Sequence, residues 1–505
     1  MSIILNCSTV FGFHNIRGGP NSVNLLCLVL LGAYTLLKLR LVADVELGKD
    51  EAVYWYWGQH LDASYALLPL AVFKLAHALL PHQEWFLRLP SALLGTLSTV
   101  LVYWLCKMQG LAKQLALWAA SAFALSHWTW HTSSYLHPDG FLVPCWLLTL
   151  CMARQAEATN ALRPYVYTGL AAGLAVLCKY SGAFLIGGLG LWIALGQQGK
   201  ERWHRLAAFL LPAVVVAAPL SYAQLNTDFY LPQTLSTLSR IEDLSHPLSR
   251  LLFFAVSPLF FLSPFLLFLL YAGLVRAAKQ RDLLVLLPAL CTIGAFLVFA
   301  LSRGQIKGNW LLPGLLSLWP VAFGAQPRRW LLVAVVATGL LQALAIGLGL
   351  KYPGLYSEFA ARSRLDKSYV GLVSEEDRGR EPSYSWSERL CEYGGWHHFA
   401  ADAEEVLPPL PLLSTQYSIP FALAYYGRAE REYYTVGDPR FRDLTDFYGQ
   451  RKEAYPREVL FAVRTGGTVP ESLSATYPRQ ELIAEIDRRR ADCPSVSYQI
   501  FRLGR

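Results

Sequence analysis

Apolar residues dominate this chain in long, barely interrupted runs up to about Leu350 and then give way to short alternating segments. A helix crossing a bilayer core needs about 20 apolar residues. Runs that approach that length are Val23–Leu41, Leu89–Cys106, Ala112–Trp128, Gly140–Ala153, Tyr165–Cys178 and Phe184–Ala194. Leu206–Ala223, Leu251–Val275, Leu283–Leu301, Trp310–Phe323 and Trp330–Leu350 complete a set of about eleven. Ala66–Leu80 is also apolar, but it is short and broken by Lys74 and His77, so it reads as a helix lying in the interface. The first run leads straight into further membrane segments and has no small-residue cleavage site, which fits an uncleaved span.

Beyond Lys351 the period changes to that of strands and short helices. Leu412–Tyr417, Glu432–Val436, Val459–Val463 and Val496–Arg502 read as strands, and Ile419–Tyr426 and Pro478–Arg490 as helices. The expected fold is an all-α polytopic membrane domain over 1–350, with a first outer loop at 42–88, followed by a small α/β domain over 351–505.

Charge orients this arrangement. The 505 residues are 54% hydrophobic and carry a formal net charge of +8. Before Lys351 there are 23 basic and 13 acidic residues, and from Lys351 on there are 21 and 23, so the excess belongs to the membrane half. Its basic residues gather in alternate junctions: Lys107 and Lys113; Arg154 and Arg163; Lys200, Arg202 and Arg205; Arg276, Lys279 and Arg281; Arg328 and Arg329. The intervening loops hold Asp44, Glu46, Asp50, Glu51, Asp62, Glu84, Asp139, Asp228, Glu242 and Asp243. The positive-inside rule then puts the N-terminus in the cytoplasm. An odd number of spans puts the C-terminal domain outside. No basic cluster with interleaved aromatics suggests a nucleic-acid partner.

Six of the nine cysteines, Cys27, Cys106, Cys145, Cys151, Cys178 and Cys291, sit in apolar runs as small hydrophobes. Cys391 and Cys493 fall in the C-terminal part, where an extracytoplasmic location allows a disulfide. His127, His131 and His137 cluster in one outer segment, but spacings of four and six are not a metal-ligand motif. No cofactor motif, GxGxxG or P-loop is present.

The chemistry concentrates at Asp50-Glu51-Ala52-Val53-Tyr54-Trp55-Tyr56-Trp57, two adjacent carboxylates beside an aromatic belt on the outer side. A carboxylate there suits a general base that deprotonates a hydroxyl. Helix capping by Asp50 fits the same residues equally well. This segment, continuing Gly58-Gln59-His60-Leu61-Asp62, resembles the first outer loop of the GT-C glycosyltransferase superfamily, in particular the branch of the protein O-mannosyltransferases and the lipid A aminoarabinose transferase. Three further matches follow in the family's order: His137-Pro138-Asp139, Gly169 to Tyr180 with Lys179 at its end, and Lys307-Gly308-Asn309-Trp310. At Tyr65 the sequence departs from the Tyr-x-x-His-Pro-Pro stretch of bacterial relatives, reading Ala66-Leu67-Leu68-Pro69 instead. In the tail, Ser414-Thr415-Gln416-Tyr417 and Ala424-Tyr425-Tyr426-Gly427 resemble the extracytoplasmic domain of those relatives.

The resemblance implies an inverting glycosyltransferase of the bacterial inner membrane. It would take its donor from a polyprenyl-phosphate sugar in the membrane and pass the sugar to a glycan, lipid or protein acceptor. Asp50 would be the base and Glu51 its neighbour. Asp139, Lys179, Arg240, Arg303, Lys307, Asn309 and Tyr54 are the candidate substrate-binding residues, the basic ones because a lipid phosphate calls for Lys and Arg. A multi-pass lipid or sugar transporter is the competing reading, although the inverted repeats with broken helices expected of one are not visible.

Overall fold

The computed structural model describes residues 22–60, 66–159, 161–196, 199–226, 247–303, 308–363, 390–427, 430–436 and 455–505. Helices run in the order α1 (Ser22–Val42), α2 (Lys49–His60), α3 (Leu67–Leu79), α4 (Glu84–Met108), α5 (Lys113–Ala124), α6 (His127–Ser134), α7 (Asp139–Thr159) and α8 (Leu162–Cys178). They continue as α9 (Gly182–Gly196), α10 (Glu201–Asn226), α11 (Pro247–Val256), α12 (Pro264–Gln280) and α13 (Leu283–Arg303). Then follow α14 (Leu312–Ser317), α15 (Trp319–Gly324), α16 (Arg329–Lys351) and α17 (Pro353–Ser363).

Most of the expected spans fall on helix, but length and hydropathy single out fewer of them. Four described helices are long and apolar enough to cross a membrane unaided: Glu84–Met108, Glu201–Tyr222, Leu283–Leu301 and Arg329–Lys351. Two bent pairs, α6 with α7 at 116° and Arg250–Phe260 with α12 at 120°, raise the number to six. The outward surface of these helices is apolar, with Leu211, Val214, Val215, Val298 and Leu341 all exposed. Such a surface suits lipid rather than water.

Three expected spans are corrected. Leu251–Val275 is not one helix: a 3-10 turn at Ser257–Phe260 precedes Ser263, whose backbone is extended before Pro264 and whose hydroxyl caps α12 through Leu266 N. Ala112–Trp128 breaks at Ser126, which caps α6. Trp310–Phe323 is a 3-10 turn and two short helices, each of the helices opening on a proline, Pro313 or Pro320.

Packing in the bundle uses small residues where helices approach closely. Gly169 and Gly173 on α8 face α10, where a Cβ would collide with the Phe209 carbonyl, the Ala213 carbonyl and Val216. Beside the bundle, α3 packs on α2 and buries Pro69, Leu70, Phe73 and Ala76.

The C-terminal elements are α18 (Trp396–Val406), β1 (Leu412–Ser414), α19 (Ser418–Tyr426), β2 (Tyr433–Thr435), β3 (Glu458–Arg464), α20 (Glu471–Ser474), β4 (Arg479–Arg488) and β5 (Val496–Gly504). They form one five-stranded sheet in the order β2-β1-β3-β5-β4. β1 is parallel to both β2 and β3, and β5 is antiparallel to β3 and β4. The helix expected at Pro478–Arg490 is instead the edge strand β4. Its Leu482, Ile483 and Ile486 have helical spacing, but pairing with β5 from Arg479↔Gly504 to Arg488↔Val496 outweighs local propensity. Cys391 and Cys493 form the disulfide, joining the approach to α18 to the β4–β5 turn.

Candidate active site

Helix α2 opens a few residues after α1 ends, and its first turn separates the two carboxylates by role. Glu51 reaches back to the Gly48 amide at 3.0 Å, the reciprocal half of a capping box. The capping role weighed for Asp50 therefore belongs to its neighbour. Glu51 is only 3% exposed, and its oxygens also accept from Arg88 Nε at 2.9 Å, Arg88 Nη2 at 2.7 Å and the Leu136 amide at 3.0 Å. Arg88, on the second turn of α4, is wholly buried. Its remaining bonds go to the carbonyls of Val42 and Val45, both at 2.7 Å, and Glu46 at 3.1 Å. A guanidinium offers five N–H donors, and this one spends all five on the loop that carries Asp50.

Asp50, by contrast, is exposed. Its Oδ1 accepts a 2.9 Å hydrogen bond from the Tyr417 hydroxyl, which comes from the C-terminal domain. One helical turn further on, Tyr54 meets the His137 ring edge-on at a centroid distance of 6.0 Å. His131 lies 5.2 Å from His137, and the charges of Asp50, Asp139 and Lys179 all act on both rings.

The second acidic element follows Leu136, whose amide is bonded to Glu51. The 116° bend between α6 and α7 turns the chain so that Asp139 opens α7 inside the protein, with no exposed surface. Its Oδ1 accepts from Lys179 Nζ at 2.7 Å and its Oδ2 from Asn309 Nδ2 at 3.1 Å, while His137 Nδ1 lies 3.6 Å from Oδ2. Lys179 stands in extended backbone at the end of α8, which swings its side chain back to α7. It has no acidic neighbour in sequence, but its partner in space is Asp139. Asn309 is buried in the 3-10 turn before α14.

Of the nine candidates, Asp50, Glu51, Tyr54, Asp139, Lys179 and Asn309 gather here in two linked clusters. Arg240 and Lys307, and the side chain of Arg303, lie outside the described residues, as does Tyr65. Sequence reasoning missed Arg88, whose signal was a cation following a stretch rich in acidic residues, and Tyr417, which lies more than 300 residues further along the chain. Around the site, burial pushes the Tyr393 phenol well above its ordinary range, with the Glu51 and Asp50 charges acting the same way. Burial does the same to Tyr426, helped by Glu84.

Comparison with known proteins gives this geometry a setting. Residues 64–223 match the sequence model of the family described as dolichyl-phosphate-mannose-protein mannosyltransferase. No curated protein sequence matches the chain. The fold is similar to that of ArnT from Cupriavidus metallidurans in the apo state, with a TM-score of 0.56 and 16% identity over 95% of this chain and 98% of that one. It is equally similar to the same protein bound to undecaprenyl phosphate, at a TM-score of 0.56 and 17% identity over 94% and 97%. The sequence match thus covers residues 64–223, and the ArnT fold is shared over nearly the whole length of both chains.

Proposed function

We propose that this protein moves a sugar from a polyprenyl-phosphate carrier to an acceptor hydroxyl at the non-cytoplasmic face of a bacterial inner membrane. The observation that carries this reading is the pairing of an exposed carboxylate, Asp50, with a buried Asp139–Lys179–Asn309 cluster beneath the same outer loop. The carrier class is supported by the undecaprenyl phosphate bound to ArnT, whose fold this chain shares.

In the reaction, the acceptor oxygen attacks the anomeric carbon as the bond from that carbon to the phosphate oxygen breaks. Asp50 takes the acceptor's proton, and the polyprenyl phosphate departs with the bonding pair. A single displacement inverts the anomeric centre. Glu51 is too enclosed to share the proton and serves, with Arg88, to hold Asp50 in place. An ammonium has three N–H donors. Lys179 gives one to Asp139, which sets its position, and can offer another to a phosphate oxygen. Arg303 and Lys307 are further candidates for that charge by sequence. No metal or cofactor is called for.

Topology supports the same side for every part of the site. The disulfide belongs to an oxidising compartment, and the basic junctions belong to the cytoplasm. Eleven crossings over 1–350, counting the short and broken helices, then carry the domain at 351–505 to the outer face.

The test is Asp50→Asn in the purified full chain, supplied with undecaprenyl-phosphate-linked mannose, glucose and aminoarabinose and candidate acceptors. Removing a general base lowers turnover by about 10²- to 10⁴-fold, with donor binding retained. Near-normal turnover in this variant discards the role of Asp50.

A further inference from the structure

The C-terminal domain does more than cover the bundle, because one of its side chains ends on the outer-loop carboxylate. Strand β1 lies between two parallel neighbours, and the loop that leaves its carboxyl end is Thr415-Gln416-Tyr417. In sheets of parallel strands this edge is where functional loops collect. The loop is held tightly: the Gln416 amide donates to Ser414 Oγ at 3.0 Å, and the Ile419 amide donates to the Gln416 carbonyl at 3.1 Å as α19 begins. Helix α19 then packs along α2, the helix that carries Asp50.

Bonds between the two domains fix this docking on every side of the loop. The Leu47 amide donates to Tyr426 Oη at 2.7 Å, and the Tyr426 hydroxyl donates to Glu84 Oε1 at 3.0 Å. The Trp396 amide donates to Glu46 Oε2 at 2.6 Å, and His82 Nε2 lies 3.2 Å from the Tyr425 carbonyl. The Tyr417 phenol therefore reaches Asp50 from a frame anchored to the same loop, and the Lys49 ammonium lies 5.6 Å from the centre of its ring.

We infer that Tyr417 is a positioning residue for Asp50, so that the C-terminal domain completes the active site. This rests on the reading of Asp50 as the base. An exposed aspartate otherwise samples several rotamers. A donor on Oδ1 selects one of them and so fixes the direction in which the carboxylate meets the acceptor. The same bond favours the ionised carboxylate, the form that a base needs. Among the described residues, the charged or titratable groups around the pair are Lys49 with its partner Glu392, Glu51, Tyr393, His131 and His137.

Tyr417→Phe keeps the ring and removes only the donor. The expected result is a kcat about tenfold lower, the loss of one charge-assisted bond, with the KM for the donor within about twofold and melting unchanged. Because the ionised form loses a donor, Asp50 becomes harder to ionise, and the acidic limb of the pH–rate profile moves up by about one unit. A wild-type profile, or a rate loss without movement of that limb, overturns the inference. Asp50→Asn, measured in parallel with the same undecaprenyl-phosphate sugar, keeps the two ideas apart. If it stays active, the base assignment is what fails. If it is inactive while Tyr417→Phe is normal, only the positioning role fails. A readout independent of turnover is the ¹⁹F signal of 3-fluorotyrosine placed at 417. Its phenol should ionise at lower pH in Asp50→Asn than in the parent, since the nearby negative charge that opposes ionisation is gone. An unmoved titration overturns the contact itself.

Discussion

Arg88 shows how one side chain can set the geometry of a site that it does not enter. Its bonds hold the carbonyls of Val42, Val45 and Glu46 and both oxygens of Glu51. Replacing it by Leu would leave Glu51 buried without a counter-charge. Breaking a buried pair from one side costs about 3–5 kcal/mol, so Arg88→Leu should melt well below the parent in detergent. Arg88→Lys should recover only part of that stability, because an ammonium cannot fork to five acceptors. Equal melting of parent and Arg88→Leu would refute this account. Lys179 needs a more careful variant, since its loss both strands Asp139 and removes a cation from the site. In Lys179→Ala, stability should drop. In Lys179→Ala with Asp139→Asn it should return, while affinity for undecaprenyl phosphate stays about ten- to a hundredfold weaker in both. Full affinity in the double variant would show that Lys179 serves only Asp139. Asp139 and Lys179 drew attention in the sequence because charge at the end of an apolar run needs a reason, and Asp50 because it adjoins a second carboxylate. The Glu51–Arg88 pair was not, since its partners are 37 residues apart.

At the scale of elements, the membrane half was readable because a 20-residue apolar run has few other uses. What the sequence hid was where helices break. Pro258 and Pro264 disguise a 120° bend as one apolar stretch, and hydropathy averages over it. Strand β4 was hidden for another reason: Arg479-Gln480-Glu481-Leu482 and the residues after it have good helix propensity, and only pairing with β5 decides the outcome. Close helix contact gives a prediction here. Gly169 sits against the Phe209 carbonyl with no room for a Cβ. Gly169→Leu should force α8 from α10 and displace Lys179, which ends α8. Melting should fall and turnover with it, whereas Leu170→Ala, on an exposed neighbouring position, should change neither. If both variants behave alike, the small-residue contact is not what holds the two helices together.

At the scale of the whole molecule, the question is which side of the membrane holds the two acidic clusters and the sheet. The argument joins three observations of different kinds. The basic junctions alternate with acidic loops along the membrane half, and only one orientation satisfies the positive-inside rule. The site at Asp50 is bonded through Tyr417 to the C-terminal domain, so the first outer loop and that domain must share a side. The disulfide between Cys391 and Cys493 persists only where thiols are not kept reduced. Ser472, exposed on α20, offers a reporter that disturbs none of these contacts. A Ser472→Cys variant in spheroplasts should react with a membrane-impermeant maleimide before lysis. Cysteines introduced at Arg163 or Arg202, in the basic junctions, should react only after it. Among the described residues five cysteines are free and lie in the apolar bundle, and the background of all the parent chain's thiols is subtracted with that chain. Reaction at Ser472→Cys only after lysis would reverse the orientation. It would also remove the disulfide's chemical rationale and leave a carrier-dependent reaction on the opposite face from the one argued above.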